Sequence, residues 1–495
     1  MINANKRNNS SKKQPNIIYI LADDMGYGDL SCLNENAQWK TPNLDRIAAE
    51  GISYTDAHAT SAVCTPSRYS ILTGRYNWRS SLKEGVVGGY SPHLMEEDRL
   101  TVASMLQKYN YQTACMGKWH LGMDWTKTGP GYSDIDFTQP IENGPTAFGF
   151  DYYYGISASL DMPPYVYIEN DRVTQVPDRI TSQSEEESTY GWWREGHTAP
   201  DFKHDEVLPH ITTKVLDYID RVSEDNPFFV YFPLTSPHTP ILPSSDFQGK
   251  SGTNAYGDFV LMTDDIVGQV LQKLDDKGIS ENTIVIFTSD NGCAPHVNYQ
   301  ELARYGHNPS YVFRGHKADI YEGGHRIPLL IRWPEEITPN TQTDEPVCLA
   351  DFMATVAEVI GYSLQENEGV DSRSHLLFWK GKQRGPLHEA IVHHSINGSF
   401  SIRQGRWKLE LCPGSGGWSY PRPGEESEMD PEFQLYDLET DIQEKRNIVR
   451  EHPDKVEELV SLLTKFITEG RSTPGAPQKN TEADPWPGLH WLTSS

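Results

Sequence analysis

Cys64-Thr65-Pro66-Ser67-Arg68 puts a thiol, a proline and an arginine where an extended segment turns into a helix. Proline suits the first helical position, because its ring fixes φ and its missing N–H would have no partner there. Cys64 is then expected just outside the helix N-terminus, where free amides and the helix dipole favour an anion. Arg68 lies four residues on, close to the same face, and its guanidinium fork fits an oxyanion. A nucleophile, an anion cradle and a cation thus share five residues. A half-buried cysteine at an ordinary helix start would use the same residues.

Two further clusters sit at strand ends. Asp23 and Asp24 follow the apolar run Asn16–Ala22, and Asp290-Asn291-Gly292 stand in the same relation to Thr283–Thr288. Three carboxylates and an amide oxygen, without sulfur or imidazole, suit a hard divalent cation, calcium before magnesium. Singly, an aspartate after a strand also serves as a turn or cap residue. Gly117-Lys118-Trp119-His120 follows the strand Tyr111–Met116, and in extended chain Lys118 and His120 point to one side. Such a pair could hold an anion and move a proton. His238 lies between two prolines after the strand Phe228–Leu234, and Lys317 precedes the glycine turn 322–324.

The elements that must position these groups alternate. Strands at 16–22, 111–116, 228–234 and 283–288 are interleaved with helices at 41–50, 101–108, 207–222 and 256–277. That pattern predicts an α/β domain with a mainly parallel sheet, helices on both faces and the site at the carboxyl ends of the strands. From about 380 the texture changes to short strands at 390–393, 399–403, 407–411 and 434–437, with a closing helix at 451–468. The expected organisation is a disordered segment 1–15, a catalytic domain 16–375 and an α+β subdomain 376–495 with a short antiparallel sheet and a Pro-rich tail.

A chain of 495 residues with net charge −26 repels nucleic acid and anionic membranes, so neither is an expected partner. No apolar run approaches the roughly 20 residues of a membrane span. The first fifteen residues carry no apolar core of an export signal. A cytoplasmic location is expected if the chain is native, a periplasmic or secreted one if a signal was removed. The six cysteines, at 32, 64, 115, 293, 348 and 412, show neither a disulfide framework nor a zinc spacing.

Taken together, the segments resemble the formylglycine-dependent sulfatases of the alkaline phosphatase superfamily, from Asn16 to about Asn447. The C-x-P-x-R motif is met by Cys64, Pro66 and Arg68. A second motif runs from Tyr111 through Gly122, with Asn110 where glycine is usual. The paired aspartates, Ser289-Asp290-Asn291-Gly292 and the stretch 315–328 also match. The pattern is similar to N-acetylgalactosamine-6-sulfatase-like and arylsulfatase A-like members. The resemblance implies an alkaline phosphatase-like large domain. It also implies that a maturation enzyme oxidises Cys64 to formylglycine, whose hydrate attacks sulfur.

By the same resemblance, Asp23, Asp24, Asp290, Asn291 and the modified residue 64 bind one calcium ion. Arg68, Lys118 and Lys317 would share the sulfate oxygens. His238 would protonate the leaving alcohol, and His120 would remove the proton that lets sulfate depart. Ser159 aligns with a site serine of the family. Trp192, Trp193, Arg194 and Trp418 lie in expected loops and could supply sugar-stacking faces and a carboxylate contact; covering the subdomain seam is the alternative. The expected substrate is a sulfated saccharide attacked from its end: galacto-configured 6-sulfate first, a carrageenan-type galactan second. Two other readings stay open, a phosphate or phosphonate ester hydrolase and a non-catalytic sulfated-glycan-binding protein.

Overall fold

The computed structural model describes residues 13–222, 225–382, 385–481 and 489. The expectation of disorder at 1–15 falls, for residues 1–12, outside the described residues, as do residues 482–488 and 490–495 of the Pro-rich end. A ten-stranded sheet forms the centre. Its order is 341–343, 52–54, 329–332, 283–289, 16–22, 228–233, 112–118, 152–156, 168–169 and 172–173. The middle strands Thr283–Ser289, Asn16–Ala22, Phe228–Pro233, Gln112–Lys118 and Tyr152–Ile156 run parallel. Antiparallel pairs flank them on both sides, so the sheet is mixed.

Every residue of Asn16–Ala22 and of Thr283–Ser289 is buried, as expected where helices cover both faces of a parallel sheet. The helices Pro42–Ala49 and Val207–Arg221 pack against Ala255–Asp276. Cys64–Thr73 and Val102–Gln107 pack with each other and with Asp351–Ile360. In the core, the Tyr19 ring lies 4.5 Å from Phe352 and 5.9 Å from Tyr231.

The second unit is a four-stranded antiparallel sheet, Ile391–His394, Phe400–Gln404, Trp407–Glu410 and Gln434–Asp437. The helix Pro453–Thr468 closes it, burying Leu459, Leu463 and Phe466 with Val392, Ile402 and Leu409. Tyr76 and Trp78, which follow the helix Cys64–Thr73, belong to this same cluster. A buried ionic network crosses the seam. Lys408 Nζ lies 2.7 Å from Glu444 Oε1 and 3.2 Å from Glu322 Oε1, while Arg403 and Arg326 both pair with Asp56. Charges buried this way tolerate loss of a partner poorly, which makes the two units one structural whole.

Element ends shift by one or two residues from expectation, with one chemical consequence. The helix at 64 starts at Cys64 itself, after extended Val63, and Pro66 occupies its third position. Thr41 precedes the helix Pro42–Ala49 but its hydroxyl does not cap it; it donates to Asp45 Oδ1 instead.

Gly117 lies one residue before Lys118 on its strand with φ +137°, and a Cβ there would stand 1.8 Å from the Pro233 carbonyl oxygen. Gly117→Ala therefore combines a backbone clash with left-handed strain, together about 3 kcal/mol. We expect chemical denaturation to show that loss, with Lys118 pushed out of register and hydrolytic activity falling in parallel.

Candidate active site

Four parallel strands end at one place. Asn16–Ala22 delivers Asp23 and Asp24, Thr283–Ser289 delivers Asp290 and Asn291, Gln112–Lys118 delivers Lys118, and Phe228–Pro233 leads into the loop carrying His238. Ser289 Oγ accepts from the Met25 amide at 2.9 Å and so ties two of these ends together. Asp24 and His120 both adopt left-handed backbone, at φ +65° and +58°, which side chains other than glycine seldom take. Such conformations persist only where surrounding contacts enforce them, and they cluster at functional sites.

Three cations meet the three carboxylates. Lys118 Nζ lies 2.7 and 2.8 Å from the Asp23 oxygens, and Lys317 Nζ lies 2.7 Å from Asp24. Arg68 donates through Nε and Nη2 to Asp290 Oδ2 at 3.0 and 2.7 Å, and through Nη1 to the Lys118 carbonyl. Burial opposes ionising Asp23, but Lys118, His238, Arg68 and Lys317 outweigh it and hold its carboxyl well below the usual range. Asp24 is likewise held down, against burial, mainly by Lys317 and His238. Asp290 moves the other way, pushed up by burial that Arg68 offsets only in part.

Cys64 Sγ points into this cluster, 3.7 Å from Asp23 Oδ1. Burial pushes its thiol up, and Lys118 and Lys317 only moderate the effect, so an unmodified Cys64 is a neutral thiol at physiological pH. Asn291 Nδ2 donates to Asp24 Oδ1 at 2.7 Å, whereas Asn291 Oδ1 is buried without a hydrogen-bond partner. An orphaned amide oxygen among carboxylates suits a hard cation. Asp23, Asp24, Cys64 and His238 bring candidate ligand atoms within 4.8 Å of one another.

A cleft of about 250 Å³ opens over Cys64, lined by Asp24, His120, His238, Lys317 and Ser159 and reached past Trp192, Arg194 and Trp418. His238 directs Nδ1 to the Thr239 carbonyl, which leaves Nε2 facing the cleft 3.5 Å from Asp24 Oδ2. His120 donates from Nε2 to the Val87 carbonyl at 2.8 Å, and its Nδ1 has no partner.

A sulfatase family profile matches residues 15–362. The chain belongs to the sulfatase family. Across 94% of its length it is 34% identical to N-acetylgalactosamine-6-O-sulfatase of Bacteroides thetaiotaomicron, covering 95% of that protein. Human steryl-sulfatase is 30% identical over 77% of this chain and 72% of its own. Among solved structures, a B. thetaiotaomicron protein from work on the metabolism of multiple glycosaminoglycans superposes with TM-score 0.82 at 34% identity. That match covers 92% of this chain and 99% of the other. A protein crystallised with a neocarrahexaose shares the fold at TM-score 0.70 and 22% identity, over 97% of each chain. The protein is therefore a sulfuric ester hydrolase with an alkaline phosphatase-like fold.

The sulfatase places its expected residues unevenly. Cys64, Lys118, His120, His238, Lys317 and the four oxygen donors gather at one point. Arg68 is fully buried behind Asp23 and Asp290, so it braces carboxylates where direct contact with sulfate was expected. Trp193 does not reach the cleft: its ring stacks on His204 at 3.9 Å, because neighbours along a strand point to opposite sides.

Two ionisable lining residues escaped the sequence reading. Asp161 ion-pairs with Arg194 and leaves Oδ1 buried, without a hydrogen bond, 3.9 Å from His238 Nδ1. His296 stands edge-on between Trp192 and Trp418, at 5.7 and 6.1 Å. Asp161 follows the unforeseen strand Tyr152–Ile156, and reading that strand would have flagged it by the same strand-end rule.

Burial, with Lys118 and Arg68 adding to it, holds the His120 imidazole well below its ordinary range. The unfolded chain takes up this proton near pH 6.5 while the folded protein does not, so stability falls as pH drops below that point. We expect His120→Gln to reduce the loss between about pH 7 and pH 5 by up to about 1.4 kcal/mol per pH unit, read by urea unfolding.

Proposed function

We propose that this sulfatase removes the 6-sulfate from a galacto-configured sugar, galactose or N-acetylgalactosamine, at the end of a glycosaminoglycan or marine galactan chain. The observation that carries the reading is the cleft over residue 64. Its floor holds residue 64, Lys317 and His238, and its rim holds Trp192, His296, Trp418 and Arg194. A volume of about 250 Å³ suits one sugar ring, which favours action at a chain end over action within it. Indole faces suit stacking on a pyranose, and Arg194 suits an anionic neighbouring residue. The unpaired Oδ1 of Asp161 is a candidate acceptor for a sugar hydroxyl. The likeness to a relative named N-acetylgalactosamine-6-O-sulfatase supports the same class.

In this reading, residue 64 works as formylglycine made by a maturation enzyme, and the neutral, buried thiol of Cys64 explains why conversion is needed. The hydrated aldehyde supplies one hydroxyl to attack sulfur and a second whose deprotonation releases sulfate. Asp23, Asp24, Asp290 and Asn291 would hold one calcium ion, which supplies Lewis-acid polarisation of the sulfate oxygens. Lys118 and Lys317 place fixed positive charge beside the developing negative charge. His238 donates a proton from Nε2 to the leaving alcohol oxygen, and His120 accepts one at Nδ1. Arg68 acts through the carboxylates it braces.

Four measurements test this. On sulfate and phosphate esters of one aryl alcohol, sulfate turnover should dominate; faster phosphate turnover would favour the phosphate or phosphonate hydrolase reading. Mass spectrometry across residue 64 should show formylglycine in active protein, whereas a plain cysteine with glycan binding and no turnover would favour the binding-protein reading. His238→Asn should lower turnover of a sugar 6-sulfate by about 10²–10⁴ and spare an activated aryl sulfate, whose leaving group needs no proton. Equal losses on both would remove His238 from the acid role. In a panel of defined sugar sulfates, galacto-configured 6-sulfates should release sulfate first, and Asp161→Asn should narrow that preference.

A further inference from the structure

A second cluster lies away from the cleft, under the C-terminal sheet. His58 comes from the short strand Ala57–His58, His325 from the turn of helix Glu322–His325, and His393 from the strand Ile391–His394. All three side chains are fully buried. Their candidate donor nitrogens lie within 4.8 Å of one another, and the Nδ1 atoms of His58 and His325 are 3.0 Å apart.

The outer nitrogen of each ring already has an oxygen partner. His58 Nε2 meets Asp56 Oδ1 at 2.6 Å, His325 Nε2 meets the Ile320 carbonyl at 3.1 Å, and His393 Nδ1 meets Ser401 Oγ at 3.2 Å. A carboxylate 2.6 Å away calls for a donor at His58 Nε2, and the Ile320 carbonyl, which only accepts, favours a proton on His325 Nε2. Arg403 and Lys408 approach the same two nitrogens at 3.0 and 3.1 Å, but each has closer oxygens to donate to. With that tautomer both Nδ1 lone pairs face each other across 3.0 Å, which a cation between them relieves; the competing arrangement is an N–H···N bond between the two rings, with His325 Nε2 accepting from Lys408 Nζ at 3.1 Å. A shared proton would answer two rings. It would leave His393 Nε2, buried and without a partner, unexplained.

We propose that His58, His325 and His393 form a site for one borderline divalent transition metal, zinc in the first instance, that ties the catalytic unit to the C-terminal sheet. Imidazole nitrogens at about 2.0–2.1 Å from a tetrahedral zinc stand about 3.3–3.4 Å from one another, so the His58–His325 pair, 3.0 Å apart, has to open by a few tenths of an ångström. A carboxylate, a carbonyl and a hydroxyl on the outer nitrogens are the partners that orient metal-bound histidines. The His325 and His393 rings are stacked at 3.9 Å and 10°, so binding requires the His393 ring to turn until its lone pair converges with the others. The site is chemically distinct from the oxygen donors of the cleft, since imidazole selects zinc where carboxylates select calcium. It does not rest on the proposed substrate or mechanism.

The test uses full-length protein made without a histidine tag, loaded with zinc in the presence of calcium and dialysed. Elemental analysis should find roughly one zinc per chain in the wild type, and less than about a tenth of that in His393→Ala, with calcium content unchanged. Cobalt loaded in place of zinc should give ligand-field bands of a histidine-bound ion that His393→Ala abolishes. If the variant fails to fold, anomalous diffraction at the zinc edge from loaded wild-type crystals decides, with a peak among the three rings expected. Wild-type protein that retains no zinc, a variant that keeps it in full, or an anomalous peak elsewhere would each overturn the proposal.

Discussion

Three buried carboxylates face three buried cations at the carboxyl edge of the sheet, and the catalytic architecture follows from that balance. Asp23, Asp24 and Asp290 could not stay ionised side by side without Lys118, Lys317 and Arg68, because burial alone would push protons onto them. Each cation reaches the cluster from a different element: a strand end, a glycine-rich loop and a helix. The interaction therefore holds the sheet, the helix Cys64–Thr73 and the loop before Leu329–Arg332 in one arrangement. A site built this way has its charges positioned before any substrate arrives, which is the basis of electrostatic preorganisation.

The same economy of charge explains why position 64 is a poor place for an ordinary thiol. Low dielectric and two nearby carboxylates oppose a thiolate, and the lysines do not compensate. In the proposed mechanism, a nucleophile that needs no net charge at rest suits the position better. The cleft above it is roofed partly by the second unit, through Ile396 and Trp418, so loops of the C-terminal unit help to enclose it. The ionic network around Lys408 and Asp56 is what keeps that roof in place.

Much of the site was legible because its residues sit at positions with strong local signals. Asp23, Asp24, Asp290 and Asn291 follow β-branched or apolar runs, and the strand-end rule finds such residues without a structure. His120 and Lys118 were found for the same reason. The helix Cys64–Thr73 was harder to place, since all ten of its residues are buried and no polar face marks its boundaries. Its start at Cys64, two residues earlier than Pro66 suggested, follows from that. Trp193 misled because it opens a strand in which it and Arg194, which lines the cleft, point to opposite sides. Asp161 and His296 were missed because their positions depend on a Tyr-rich strand and a short turn with weak patterns.

The sequence by itself determined which chemistry the chain could perform. Residue types and their spacing along the chain are local properties: oxygen donors after strands, a thiol at a helix start, an imidazole between prolines. Only the tertiary structure decided which of those groups meet. It placed Arg68 behind the carboxylates, turned Trp193 onto His204, set Asp161 beside His238 and drew three histidines from distant segments under one sheet. Contacts between residues hundreds of positions apart depend on strand order and on which face each side chain takes, and neither is written in any short stretch of sequence.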